Sequence, residues 1–173
     1  YMYEDSCGVP LLIEGPGVPT DVVCSTPANL VDVHSTVVDL VGGADAGARG
    51  SSLLQLANSP DDPDRVTFSE YHDGGATTGF FMVRSGRWKY VYYVGDRPQL
   101  FDLAADPDEL DDLGLSPEHA TVRTNLERQL REIVDPEEVS ARAFEDQAAL
   151  LASFGGLDGI GDQLRFNHTP TPT

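Results

Sequence analysis

Glu70 and His72 close an alternating stretch that runs from Arg65 to His72. A strand repeats every two residues, so Val66, Phe68, Glu70 and His72 share one face, while Thr67, Ser69 and Tyr71 share the other. A face that begins apolar and ends in a carboxylate and an imidazole is a candidate binding surface. Its plain alternative is an edge strand emerging into water. His34 lies beside an apolar helical stripe with no ligand partner one turn on, and reads as a packed or surface histidine. The acidic run Asp102, Asp106, Asp108, Glu109, Asp111 and Asp112 invites a calcium reading. It lacks the alternate spacing and central glycine of an EF-hand loop, so a solvated turn with helix-capping carboxylates is the simpler expectation.

Cys7 and Cys24 lack zinc-ligand spacing and are too few for a disulfide scaffold. Two separate buried thiols are expected, with a single disulfide as the alternative. The sequence has no Gly-x-Ser-x-Gly elbow, no phosphate-binding Gly-x-x-x-x-Gly-Lys and no His-Glu-x-x-His. It therefore shows no complete catalytic constellation and no metal-ligand set.

The elements that must hold these residues follow from patterning. With 173 residues and 40% hydrophobic content, the chain can bury a real core and carries no apolar run long enough to span a bilayer. Its 29 acidic against 11 basic residues give a net charge of −18, and Lys89 is the one lysine. Such a surface repels nucleic acid and anionic membranes, so neither is an expected partner. A solvated acidic surface is the simple explanation, and an acidic mimic that binds a basic partner is the alternative. The chain opens Tyr-Met-Tyr-Glu, as though entered within a domain, and says nothing of compartment.

Residues 9–13 read as a short buried strand, and residues 22–25 as another extended piece. Thr26 as N-cap and Pro27 at the first helical position predict a helix that buries Leu30, Val33, Val37, Leu40 and Val41 and closes at Gly42-Gly43. Residues 44–65 read as a long connection with a short helix at Leu53-Leu54-Gln55-Leu56. An aromatic hairpin follows. With Ser85-Gly86 as its turn, Arg84 should pair with Arg87, Val83 with Trp88 and Phe81 with Tyr90. Phe81, Val83, Trp88, Tyr90 and Tyr92 then share a face that must pack on helices, opposite Met82, Arg84, Arg87 and Lys89. A strand at 99–102 precedes a helix at 117–134, capped by Ser116, with Val122, Leu126, Leu130 and Ile133 inward. Asp135-Pro136 should start a second helix, with Val139, Ala143, Phe144, Leu150 and Leu151 on its apolar side and Gly155-Gly156 as its stop. The tail at 167–173 is expected to be extended; its Asn-His-Thr sequon carries no weight without a secretion signal.

Several of these segments together resemble a known family. Tyr3-Glu-Asp-Ser-Cys-Gly-Val-Pro-Leu11 is similar to the "YE-x-S-x-x-VPL" segment of type I sulfatases. Leu30-Val-Asp-Val-His-Ser-Thr-Val-Val-Asp-Leu-Val-Gly42 resembles their "LVDL-x-PT-L-x-x-LAG" helix, with His34-Ser35 where a Pro is common. Ser69-Glu-Tyr-His72 resembles the "EYH" or "EYC" strand of the choline-sulfatase-like and arylsulfatase K-like branches. Arg84-Ser-Gly-Arg-Trp-Lys-Tyr90, Gln99-Leu-Phe-Asp-Leu103 and Asp106-Pro-Asp-Glu109 resemble the block "R-x-G-R-W-K-Y … QLFDL … DP-x-E". Each match is weak alone. Their shared order over most of residues 1–135 is specific.

The resemblance implies an α/β, alkaline-phosphatase-like sulfatase fold, of which this chain would be the C-terminal part. Residues 1–64 would close the large α/β domain. Residues 65–134 would form a small four-stranded antiparallel sheet packed by a helix, and residues 135–173 a last helix and tail. The implied activity is hydrolysis of sulfate esters by a formylglycine nucleophile beside a calcium ion, with small choline, aryl or sugar sulfates as substrates. Formylglycine arises in Cys-x-Pro-x-Arg or Ser-x-Pro-x-Arg, and neither Cys7 nor Cys24 has that spacing. The resemblance therefore places nucleophile, calcium ligands and sulfate-pocket residues before Tyr1, and no catalytic or metal residue within this sequence. It implies substrate binding for Glu70 and His72 on the alcohol side of the ester. The rivals are a phosphonate or phosphate ester hydrolase of the same superfamily and a noncatalytic acidic interaction module. A homo-oligomer through the C-terminal tail is a further expectation.

Overall fold

Alternation of aromatic and polar residues on either side of Gly86 builds the centre of the molecule. In the computed structural model, which describes residues 1–44, 47, 49–72, 76–156 and 159, four strands form an antiparallel meander in the order β1-β2-β3-β4. They are β1 Thr67–Tyr71, β2 Phe80–Ser85, β3 Trp88–Tyr93 and β4 Gln99–Asp102. The hairpin register differs from the expected one. Ser85 pairs with Trp88, Arg84 with Lys89, Val83 with Tyr90 and Phe81 with Tyr92, so the turn is Gly86-Arg87. Gly86 has a φ of 58°, the left-handed value that a type II′ hairpin demands of its first central residue. The displacement amounts to one full pleat period, and every side chain keeps its expected face.

One face of the sheet carries Phe81, Val83, Tyr90 and Leu100, all fully buried. Helix α4, Ala120–Ile133, lies across them with Leu126 and Leu130. A single 3-10 turn at Pro117–His119 leads into it, and Ser116 Oγ lies 2.9 Å from His119 Nδ1. Ile133, expected inward, stays at the edge, and Val134 packs in its place. Helix α5, Pro136–Ser153, starts where the Asp-Pro pair predicts, with Asp135 accepting from the Glu138 amide at 3.1 Å. Val139 reaches the core, whereas Phe144 and Leu150 are exposed, contrary to expectation. The buried positions of α5 are Pro136 and Ser140.

The other face holds Phe80, Met82 and Val91. Met2 and the short helix α1, Glu4–Cys7, cover it. Beyond α1 the expected order inverts. Residues 9–13 form no strand, and Leu12 is 94% exposed. A continuously apolar strand is stable only with neighbours on both faces, and none of the described residues supplies them. Helix α2, Leu30–Leu40, begins three residues later than the Thr26 cap predicts. Its capping residue is Asn29, whose amide donates to Asp32 Oδ2 at 2.6 Å, while Thr26 Oγ1 accepts from Asp62 N. Leu30, Val33, Val37, Leu40 and Val41, expected to be buried, are exposed; Asp32 and Thr36 are buried. Helix α3, Leu53–Ala57, occupies the expected short-helix position. Cys7 and Cys24 are free and half-buried, so neither is the fully buried thiol expected.

The tail at 167–173, and with it the expected tail-mediated oligomer, lies outside the described residues. Among the described residues no helix is long and apolar enough to cross a membrane. Since Leu130 is fully buried between α4 and the sheet, Leu130→Ala should cost about 2–5 kcal/mol. Ile133→Ala at the edge should cost under about 1 kcal/mol. Urea denaturation midpoints at unchanged m-value measure both.

Candidate functional site

β1 and β2 present Thr67, Ser69, Tyr71, Met82 and Arg84 to the side away from α4. Above them lies an open groove of about 1000 Å³, walled by α2, α3 and the irregular stretch 8–29. Its walls are apolar, with Leu11, Ile13, Val22 and Leu30 among them, and Glu4, Glu70 and Arg84 supply charge.

At the α1 side of the groove, the one lysine is fully buried. A buried ammonium survives only if its three N–H donors and its charge are satisfied. Lys89 Nζ meets both conditions: it donates to the Met2 carbonyl at 2.8 Å, to Glu109 Oε1 at 2.7 Å and to Glu4 Oε1 at 2.8 Å. Glu109 also accepts from the Glu4 amide through Oε2, and Glu4 Oε2 accepts from Arg84 at 3.2 Å. Two cations and two carboxylates thus close a neutral network that fastens α1 to the sheet and to the acidic turn. Glu109 reaches it from a left-handed backbone, φ 54°, a conformation that costs a residue with a Cβ roughly 1–2 kcal/mol. The acidic turn is therefore braced from within. Asp106 accepts from the Asp111 amide, Asp112 from Leu100 and Gly114, and Asp102 pairs with Arg87. Burial pushes the neighbouring Cys7 thiol above its ordinary value.

A second buried ion pair holds α2 on its polar side. Asp32 Oδ1 accepts from Arg65 Nη2 at 2.7 Å and from Ser51 N at 2.8 Å, and its Oδ2 from Arg65 Nη1 at 2.9 Å. Burial alone would raise the Asp32 pKa, but the hydrogen bonds from Arg65, Asn29 and Ser51 outweigh it and hold the carboxyl below its ordinary value. Thr36 Oγ1 accepts from Leu53 N at 2.8 Å, which joins α3 to α2.

The two candidate residues at the end of β1 are neighbours. Glu70 Oε2 lies 3.7 Å from His72 Nε2, as a shared face requires. Glu70 is exposed at the groove rim. His72 turns instead toward the helical side, edge-on to Phe81 with ring centroids 5.1 Å apart. Both its ring nitrogens are shielded from solvent and lack hydrogen-bond partners. Strand periodicity finds this pair but misses the Glu4–Arg84–Lys89–Glu109 network. Its one signal in the sequence is a solitary lysine between Trp88 and Tyr90.

The family described as N-sulphoglucosamine sulphohydrolase, C-terminal, matches residues 1–136. The chain belongs to this sulfatase family. Arylsulfatase K of Mus musculus is 36% identical over 156 residues, covering 83% of this chain and 28% of the mouse protein. Arylsulfatase K of Danio rerio is 39% identical over 148 residues, covering 80% and 28% respectively. The chain thus spans little more than a quarter of the length of these relatives. Among solved structures, BT1596, a 2-O GAG sulfatase, is similar with a TM-score of 0.50 and 28% identity, over 66% of this chain and 25% of that one. The phosphonate monoester hydrolase SpPMH from Silicibacter pomeroyi is similar with a TM-score of 0.57 and 24% identity, over 69% and 27%. The small antiparallel sheet and its helices are accordingly the C-terminal part of the alkaline-phosphatase-like sulfatase fold.

The calcium that sulfatase resemblance implies does not fit the residues present here. No group of three or more His, Cys, Asp or Glu among the described residues could hold a metal ion. Glu4, Asp102, Asp106, Glu109 and Asp112 are engaged with Lys89, Arg84, Arg87 and backbone amides.

Two outcomes follow for this sulfatase segment. Lys89→Met leaves the buried Glu109 carboxylate without its cation, while Glu4 keeps Arg84, and should cost about 3–5 kcal/mol. Combining it with Glu109→Leu should cost less than the sum of the single changes by about 0.5–3 kcal/mol in a double-mutant cycle. For Asp32, a carboxyl lowered by folding stabilises the protein above its ordinary pKa, and that stability is lost as pH falls through the folded value. The urea midpoint should therefore fall as pH drops below about 4, and this part of the fall should be absent in Asp32→Asn.

Proposed function

We propose that this chain is the C-terminal part of a sulfatase that hydrolyses sulfate esters, and that its groove face meets the larger part of the enzyme. The observation that carries this reading is the match to arylsulfatase K over four-fifths of the chain, in register with a sulfatase C-terminal family. The likeness to SpPMH supports the fold and does not separate sulfate from phosphonate chemistry. The relatives named arylsulfatase K favour sulfate. The uncovered apolar surface of residues 9–13 and α2 agrees with a partner layer supplied by a longer polypeptide.

Nucleophile, calcium and sulfate pocket belong, in this reading, to that larger part. This chain contributes at the alcohol side of the ester. Glu70 stands at the groove rim, where its carboxylate can accept hydrogen bonds from substrate hydroxyls or attract a cationic alcohol. His72 stands behind it, with Nε2 3.7 Å from its Oε2. A sugar sulfate is the alcohol class that the likeness to a 2-O GAG sulfatase supports; choline and aryl sulfates are the alternatives.

In the full-length enzyme, Glu70→Gln and His72→Ala should each lower kcat/KM on the preferred ester about tenfold or more, mainly through KM. Values unchanged across sugar, choline and aryl sulfates would exclude both residues from recognition. The 173-residue chain alone should show no turnover of an aryl sulfate, and turnover would contradict the assignment of the chemistry to the larger part.

A further inference from the structure

The sulfatase family match ends at residue 136, and α5 begins at Pro136. This helix nevertheless packs on the end of β1 that carries the candidate substrate residues. Three contacts make the junction. Gln147 donates its side-chain amide to the His72 carbonyl. Ser140, only 4% exposed, accepts from the Gly79 amide at 3.3 Å. Gly79 in turn leaves the gap in which the His72 ring sits: a Cβ at Gly79 would lie 2.8 Å from His72 Nδ1 and 2.9 Å from Ser140 Oγ.

The His72 ring within this junction is unusual. Phe81 fixes it edge-on, both nitrogens are dry and unpaired, and Glu70 Oε2 lies 3.7 Å from Nε2. An unpaired polar ring in a dry site is unfavourable, so it stays there only if the packing around it over-determines its position. The packing that does so comes from β2 and α5. Without Ser140 and Gln147, the strand end and its ring could turn to water.

We propose that α5 is a positioning element for the Glu70–His72 pair, with Ser140 and Gln147 as positioning residues and Gly79 as the gap that admits the imidazole. The assignment of kinetic consequences rests on the reading of Glu70 and His72 as substrate-binding residues. The helix holds the imidazole behind the Glu70 carboxylate, so the carboxylate meets substrate in one orientation. Recognition groups held loosely lose much of their effect, and a displacement of about 1 Å can cost up to 100-fold.

The test has two readouts. In the 173-residue chain, the His72 ring 15N and 1H resonances report its position directly. Gly79→Ala and Gln147→Met should shift them, and the exposed control Arg142→Ala should leave them in place. In the full-length enzyme the same two variants should lower kcat/KM on the preferred ester about tenfold, through KM with kcat little changed, while Arg142→Ala has no effect. Far-UV circular dichroism and the melting temperature identify any variant that fails to fold, and Ser140→Ala then replaces it. Unmoved His72 resonances in folded variants would overturn the proposal whatever the kinetics. Shifted resonances with unchanged kcat/KM, where Glu70→Gln is itself impaired, would also overturn it. Shifted resonances where Glu70→Gln and His72→Ala are both fully active would support the positioning and remove the substrate reading instead.

Discussion

A lysine with no access to water organises this chain. Lys89 sits on β3, and the groups that satisfy it come from the first residues of the chain and from the turn after β4, 87 and 20 residues away in sequence. A buried charge must be matched in number of donors as well as in sign, and three acceptors meet three N–H groups here. The match dictates the surroundings. It draws α1 onto the second face of the sheet and pulls Glu109 into a left-handed backbone. It also turns an acidic loop into a brace, in which Glu109 and Asp102 meet cations and Asp106 and Asp112 accept from backbone amides.

The same economy operates around Asp32. A helix whose apolar residues face outward and whose aspartate and threonine face inward would have no reason to stay put if apolar burial were the only force. Arg65 supplies the reason, with two hydrogen bonds to one carboxylate, and Ser51, Asn29 and Leu53 complete the polar contacts. The apolar stripe of α2 is thereby left exposed, with Leu30 and Val33 on the groove beside Leu11, Leu12 and Ile13, as a surface suited to another layer of an α/β fold. The sheet and α4 are self-sufficient in apolar packing, and the N-terminal third is held by polar ties.

Local periodicity made some of this readable in the sequence. Period two placed Phe81, Val83 and Tyr90 on one face and put Glu70 beside His72, and period 3.6 placed Leu126 and Leu130 inward. The hairpin register was misplaced because Gly86 fits either central position of a two-residue turn, and only its backbone conformation decides between them. The burial of Lys89 and the inversion of α2 were unreadable for a different reason. A charged residue in a strand and an apolar stripe on a helix have default orientations, and both defaults are reversed here by ion pairs between residues distant in sequence. The turn of His72 beneath α5 likewise depends on Gly79 and Ser140, which no local pattern links to it. The family resemblance rested on the segments that periodicity also described well, so it identified the fold without revealing what fastens it.

Amide hydrogen exchange on the wild-type chain and on Lys89→Met shows whether Lys89 seats α1, because it reads protection segment by segment. If Lys89 fastens α1 to the sheet, the variant loses protection at residues 2–8 and in the turn around Glu109, while β2, β3 and α4 remain protected. Unchanged protection of residues 2–8 in the variant would show that apolar contacts alone seat α1, and would contradict the account.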